Sequence, residues 1–369
     1  MNVGIVGYGN LGKAVEREIV ASGEFRLIRI FSRRDGKNLS SPFENEFEKL
    51  DNLENFVNKI DLLFLCGGSF DDIEKIGPRA IEHFCTVDAF DTHSKLLKYK
   101  QTLDKIAKNS NKVALTAFGW DPGLLSLIRT TMAGIAGVEH VSTFWGKGVS
   151  QGHSDTLRRI ASVENAIQFT IPNKNEIKRA INQPNYAPKL DNMHKRVCFV
   201  ALKNGQKSAN FLQKTAKKQC FLLQKTPKNQ QLLLKKTAKK QRFLLKKTAK
   251  NQRFLLKKQQ KIRKFIKEIP NYFAGQKTIV HFVSNEEVAN MQKDMSHHGL
   301  VVSNFMLPNC YKNLMKFEID MQDNPALTAR IMLVGAKVVF QLFAEKKFGG
   351  YSILDIPPKY FLSQNETLL

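Results

Sequence analysis

The spacing of apolar residues changes period repeatedly along the first 120 positions. Met1–Val6 is a short apolar run stopped by Gly7. A helical spacing follows to about Ala21, and Phe25–Phe31 is the next apolar run. Three more short runs follow, Asp61–Cys66, Phe84–Val87 and Lys112–Ala117. They end in Gly67-Gly68-Ser69, Asp88-Ala89-Phe90-Asp91 and Phe118-Gly119-Trp120-Asp121-Pro122-Gly123. Short strands alternating with helices predict an α/β chain with a parallel sheet. Later, Val197–Leu202 reads as a strand and the stretch before Pro270 as a helix. From Pro325 to about Lys346, apolar Ile331, Val334, Val338 and Leu342 recur at helical spacing, a face suited to packing on the first domain.

One block breaks the pattern. From Asn210 the chain reads NFLQKTAKKQC, FLLQKTPKNQQ, LLLKKTAKKQR, FLLKKTAKNQR and FLLKKQQK, a tandem repeat of eleven residues. Eleven residues make three helical turns of 3.67 residues. On a helical wheel Leu244, Leu245, Thr248, Ala249 and Gln252 share one side, and Lys246, Lys250 and Arg253 the other, with Phe243 among the basic residues. Pro227 interrupts one unit. A membrane-surface helix, a nucleic-acid patch and a partner-binding helix are open readings; a duplicated surface insertion with no selected role is favoured.

The repeat also changes the meaning of the charge. The chain has 369 residues and a net charge of +25. Residues 210–261 hold seventeen Lys or Arg and no Asp or Glu; without them 41 basic residues face 33 acidic ones. The basic balance is therefore mostly local. A hydrophobic fraction of 42% excludes wholesale disorder, and the length predicts two domains. No run of eighteen apolar residues is present and the N-terminus lacks a signal-peptide pattern. Cys66, Cys85, Cys198, Cys220 and Cys310 are scattered, which predicts neither a disulfide framework nor a metal site and favours a reducing cytoplasm.

Gly7-Tyr8-Gly9-Asn10-Leu11-Gly12 lies between the first strand and helix, the context that gives a GxGxxG sequence meaning. Gly7 permits the tight turn, Gly9 lets the backbone approach a pyrophosphate, and Gly12 allows close helix packing, so a Rossmann-type doubly wound sheet is predicted. The second strand ends in Ser32-Arg33-Arg34 rather than an acid, a hydroxyl and two guanidinium groups suited to the 2′-phosphate of NADP. In such sheets ligands sit beyond the carboxyl ends of the strands, where Asp91 and Asp121 fall. A lone Asp there is ordinarily a helix cap; two favour a cationic substrate group.

Several segments together resemble the meso-diaminopimelate dehydrogenase family. They are VGYGNLGKAVE (6–16), FSRR (31–34), 63–69, 85–91, GWDPG (119–123) and TFWGKGVSQGHSDTLRRI (143–160). His194–Arg196, Cys198–Val200, Pro270–Phe273, Met295–His297 and Asp323–Pro325 extend the likeness to nearly the whole chain outside the repeat. The resemblance implies reversible, NADP-dependent oxidative deamination of the D-centre of meso-2,6-diaminopimelate. The products are ammonia and L-2-amino-6-oxopimelate, which cyclises to tetrahydrodipicolinate in lysine biosynthesis. It implies cofactor contacts at Tyr8–Leu11, Ser32–Arg34, Cys66, Gly67, Gly68, Ser69, Ala89, Phe90, Phe118, Gly119, Trp120 and Pro122. It implies substrate contacts at Asp91, Asp121, Trp145, Gln151, Gly152, Thr170, Arg196, His297 and Asn324. Asp91 and Asp121 hold the reacting ammonium or take its proton, Arg196 offers a fork for a carboxylate, and Thr170, His297 and Asn324 complete a clamp on the distal L-centre.

The expected organisation is an NADP-binding domain, 1–122 with 325–369, and an α+β substrate and dimerisation domain, 123–324, interrupted by the repeat at 206–261. The insertion begins fourteen residues after Arg196, and with His298-Gly299-Leu300 and Gly68 it is where the chain departs from the family pattern. A homodimer is expected. The rival readings are another NADP-dependent amino- or oxo-acid oxidoreductase, and a catalytically impaired protein whose repeat binds nucleic acid or anionic membrane.

Overall fold

The structure, a computed structural model, describes residues 1–34, 39–68, 72–203, 253–270 and 272–362, and of Asn309 the backbone alone. Ser69, Cys220, Pro227 and most of the eleven-residue repeat lie outside the described residues. Contacts gather the chain into two compact units, Met1–Phe144 with Lys178–Ala187 and Met295–Leu369, and Trp145–Ile177 with Pro188–Asp294.

In the first unit, β1 (Asn2–Val6), β2 (Arg26–Ser32), β3 (Phe47–Lys49), β4 (Leu62–Leu65), β5 (Cys85–Asp88), β6 (Val113–Leu115) and β14 (Gly349–Tyr351) form one sheet. Its order is β14-β6-β5-β4-β1-β2-β3 and every pairing is parallel. The strands read as unbroken apolar runs because both faces are covered: β4 and β5 are buried at every position. Helix α1 (Asn10–Ser22) turns Ala14, Val15 and Ile19 onto one face. The helix Asn324–Ala344 packs there too, with Ala329, Met332, Leu333, Ala336 and Val339 in the same core. It opens with Pro325 in its first turn, and the Asp323 side chain accepts the Ala326 N–H at 3.1 Å. At 21 residues this helix is long and apolar enough to cross a bilayer by length and composition, although Arg330 and Lys337 interrupt its apolar run. Ten of its residues are buried, as in the core helix of a globular domain.

The first unit also holds a three-stranded sheet, β13-β12-β7, from β7 (Val141–Trp145), β12 (His297–Leu307) and β13 (Tyr311–Met321). It groups by contact with the nucleotide sheet, although it falls within 123–324, the range expected for the other domain.

The second unit is built on β8 (Gly148–Val149), β9 (Val163–Pro172), β10 (His194–Leu202) and β11 (Lys277–Phe282), in the order β11-β10-β9-β8. Alternate residues in the second half of β10 (Cys198, Val200 and Leu202) join Ala166, Leu157 and Val280 in its core. A helix over 253–268 covers this core with Ile262 and Ile266, and Leu255 packs at its edge. Residues 253–261, read from sequence as the end of the insertion, are thus part of a core helix.

Candidate active site

The turn between β1 and the helix α1 is shaped by two glycines. Gly7 adopts a φ of +94°, which a side chain strongly disfavours. A Cβ at position 12 would lie 2.1 Å from the Gly7 carbonyl oxygen, so only glycine allows α1 to start this close to β1. A Cβ at Gly9 would meet nothing within 4 Å; this is the open side of the turn. No side chain caps α1 and no acid occupies its first turn, so its leading N–H groups and partial positive charge suit a pyrophosphate. Behind the turn the Tyr8 hydroxyl donates to the fully buried Glu16 at 2.5 Å. Glu16 also accepts from Ser41 at 2.5 Å and Asn45 at 2.7 Å. Burial and the Glu16 carboxylate push the Tyr8 hydroxyl pKa upward.

The two arginines after β2 take different partners. Arg34 donates to the Tyr8 carbonyl at 2.6 Å, and its backbone N–H to the Ser32 hydroxyl at 3.1 Å. Arg33 forks onto Asp72, with both N–O distances 2.8 Å, and Asp72 also accepts the Gly68 N–H at 3.3 Å. The sequence alone does not single out Asp72. The glycine cradle, the uncapped helix end and the Ser32–Arg34 pair fit NADP.

At the end of β5, Asp88 is wholly buried and accepts from Thr116 (2.7 Å), the N–H groups of Phe90 (3.0 Å) and Ala117 (3.1 Å), and Tyr99 (3.2 Å). Burial raises its pKa and these bonds pull it back. The same bonds tie the ends of β5 and β6 together and so set the positions of Asp91 and of 118–122. Asp91 itself is exposed. Phe90 and Phe118 are buried core side chains, which leaves their backbone to meet a ligand.

Asp121 sits in the turn before the helix Leu124–Ala136, its side chain 3% exposed. Arg129 donates to both its oxygens, at 2.5 and 3.1 Å. Next in sequence, the Trp120 ring lies 4.8 Å from that of buried His297. His297 Nδ1 is 2.9 Å from the His298 carbonyl oxygen, so Nδ1 carries the proton and Nε2 is an acceptor. Burial lowers its pKa to about 4, opposed by the His298 carbonyl and, more weakly, the Asp121 charge. Asn324 opens its helix with its N–H bonded to the Met295 carbonyl at 3.1 Å, two residues before His297. Asp121, Trp120, His297 and Asn324 thus share the first unit.

The second unit brings together the others. Thr170 on β9 faces Arg196 on β10, and Arg196 Nη1 donates to the Thr170 hydroxyl at 2.6 Å. Gln168 donates to the same hydroxyl at 3.3 Å. Arg196 Nε is buried with no hydrogen-bond partner, and among the described residues no carboxylate is paired with it. Burial lowers the Arg196 pKa. β8 pairs Gly148 with Thr170, and the next helix, Gln151–Arg158, begins at Gln151 and Gly152. The Trp145 N–H donates to His194 Nε2 at 2.8 Å and the two rings lie 5.1 Å apart. Gln168 carries no sequence signal and emerges from strand register; His194 lies in the His194–Arg196 stretch of resemblance, but its contact with Trp145 shows only in the structure. Among the described residues no three His, Cys, Asp or Glu side chains are grouped to hold a metal ion.

These features define a dinucleotide-binding α/β protein whose second unit carries a half-buried cation on its sheet. Residues 119–224 and 222–323 match the diaminopimelic acid dehydrogenase C-terminal domain, and the chain belongs to the diaminopimelate dehydrogenase family. It is 32% identical to the meso-diaminopimelate D-dehydrogenase of Ureibacillus thermosphaericus, over 97% of this chain and 94% of that protein. It is 33% identical to that of Acetivibrio thermocellus, over 98% and 93%. The Corynebacterium glutamicum DAP dehydrogenase solved in complex with DAP superposes with a TM-score of 0.78 at 26% identity, covering 99% of this chain and 96% of that one. An engineered D-amino acid dehydrogenase bound to NADP+ gives 0.78 at 25% identity, covering 100% and 97%.

Proposed function

We propose that this chain is an NADP-dependent meso-diaminopimelate dehydrogenase. It oxidises the D-centre of meso-2,6-diaminopimelate and releases ammonia and L-2-amino-6-oxopimelate, reversibly. The observation that carries the reading is the Thr170–Arg196 pair, a half-buried guanidinium whose buried Nε has no partner and which has no carboxylate among its described partners, in a chain of this family. A dicarboxylate substrate supplies the missing anion.

NADP, when bound, supplies the hydride acceptor. The residues of the chain do the rest. Asp91 and Asp121 take the reacting ammonium or its proton, which frees the nitrogen lone pair as the C–H bond breaks with its electrons. The imine left on the substrate adds water and loses ammonia. His297, a neutral acceptor at Nε2, and Asn324 suit the distal ammonium and carboxylate. Trp145, Gln151 and Gly152 line the substrate. Fixing both ends makes the choice of centre geometric. The reading includes a homodimer, checked by sedimentation, and a cytoplasmic location, supported by the unpaired thiols of the described Cys66, Cys85, Cys198 and Cys310 and checked by cell fractionation.

Following NADP reduction with meso-, L,L- and D,D-diaminopimelate in parallel tests the reading. Turnover is expected with the meso isomer and with NADP over NAD. Equal rates with the L,L isomer, which has no D-centre, overturn it.

A further inference from the structure

Asp121 is nearly inaccessible, yet the function above asks it to meet a substrate ammonium in a fixed direction. A carboxylate on a turn has one side-chain torsion and a nearly free terminal rotation, so something must hold its plane. Arg129 does so geometrically. Its Nη2 and Nη1 reach Oδ1 and Oδ2 at 2.5 and 3.1 Å, a two-pronged contact that a point cation cannot reproduce.

The Arg129 side chain is itself held. Its Nη2 also donates to the Ser126 hydroxyl at 3.1 Å, and Ser126 accepts the Gly123 N–H at 3.2 Å. The segment from Gly119 to Arg129 therefore closes on itself, with Gly119 N–H bonded to the Pro122 carbonyl at 3.2 Å. The placement of a cation here is not explained by the helix. Arg129 is the sixth residue of the helix Leu124–Ala136, past its first turn and short of its last, where the helix dipole gives no reason for a cation. Helical side chains slant toward the N-terminus, which carries the fork back over Ser126 to Asp121. Arg129 thus engages both oxygens of the carboxylate at once, which fixes its plane.

We propose that Arg129 is a positioning residue, acting on the substrate only through Asp121 by fixing the plane of its carboxylate. This rests on the role given to Asp121 under the proposed function. The pair also leaves Asp121 counterbalanced beside the neutral His297, so that two substrate-facing groups keep fixed roles.

The test is a double-mutant cycle with meso-diaminopimelate, using Arg129→Met, Arg129→Lys, Asp121→Asn and the Asp121→Asn, Arg129→Met double variant. Thermal unfolding and NADP titration by fluorescence accompany it. Arg129→Met is expected to lower kcat/KM roughly a hundredfold, as displacement of a reacting group by about 1 Å does. NADP affinity should hold within about twofold, and Arg129→Lys, a cation without the fork, should fall between Met and the unmodified enzyme. The double variant should match Asp121→Asn within about threefold, because residues acting as a unit are not additive. Losses that multiply in the double variant, or full activity in Arg129→Met, overturn the proposal. If Arg129→Met leaves a buried unpaired carboxylate and fails to fold, Arg129→Lys and the double variant carry the comparison. Their failure signs are full activity in the Lys variant or a double variant well below Asp121→Asn. Full activity in Asp121→Asn alone instead sinks the reading of Asp121 itself.

Discussion

The glycine turn of the first unit and the Thr170–Arg196 cluster of the second are built by opposite means. The turn is local. Six consecutive residues carry it, and a single backbone clash, the 2.1 Å approach of a Cβ at position 12, dictates its residue types. The cluster is assembled by register. Thr170 and Arg196 are 26 residues apart and meet because β9 and β10 pair antiparallel with that register. A local device is specified by what cannot fit; a register-built device is specified by a whole sheet, and its chemistry rides on few side chains.

The contrast predicts different failure modes. The largest effect belongs to the turn. Gly12→Val should weaken NADP binding by more than about a hundredfold and lower thermal stability with it, since close-packed backbone cannot yield to a branched side chain. Gly9→Ala has open space around it and should keep the folding temperature while still weakening NADP. Fluorescence titration beside thermal unfolding separates the two, and a stable, NADP-binding Gly12→Val removes the packing argument.

Next comes the cluster. Arg196→Ala should cost on the order of 2–5 kcal/mol in kcat/KM for meso-diaminopimelate, since it strands a substrate carboxylate, with NADP affinity unchanged. Steady-state kinetics checks this; unaltered kcat/KM moves carboxylate recognition elsewhere.

The basic pair after β2 should respond unequally. Arg34→Ala should raise the KM for NADP by roughly tenfold, the worth of one charge-assisted hydrogen bond, and Arg33→Ala by less, because Arg33 already forks onto Asp72. KM for NAD should barely move in either. The opposite order shows that Arg33 leaves Asp72 for the 2′-phosphate.

The smallest effect is expected from the repeat. Deleting 210–252 should leave activity and folding temperature nearly unchanged. Extending the deletion through Lys261 should lower the midpoint by a few degrees, at roughly 2–4 °C per kcal/mol, because it removes Leu255 and the first half of the helix carrying Ile262 and Ile266. Equal midpoints for both deletions remove residues 253–261 from the fold.

What the sequence makes legible follows the same division. β1, the turn and α1 are readable because apolar period and glycine spacing are short-range signals. The end of the insertion is misread at 253–261 for a related reason: the repeat's own period hides the point where a core helix begins. Arg129 carries no signal, since an arginine eight residues after Asp121 reads as solvated charge until the turn at 119–123 brings it back. Asp72 likewise gains meaning only once β4 and β2 are neighbours of β1. The role of Arg196 was available only by resemblance, because alternation along β10 places it on a core face without naming its partner.

Leu255 and Ile266 stand eleven residues apart, both turned toward the second core. Eleven residues advance a helix by three turns and about 20°, so the duplicated unit and the packing surface share one period. The residue eleven before Leu255 is Leu244, again the second position of its unit. Slippage during replication that drops or adds one whole unit therefore delivers another leucine to the place where Leu255 packs. A change of copy number by whole units would thus keep a leucine at the position of Leu255 and leave Ile262 and Ile266 in place.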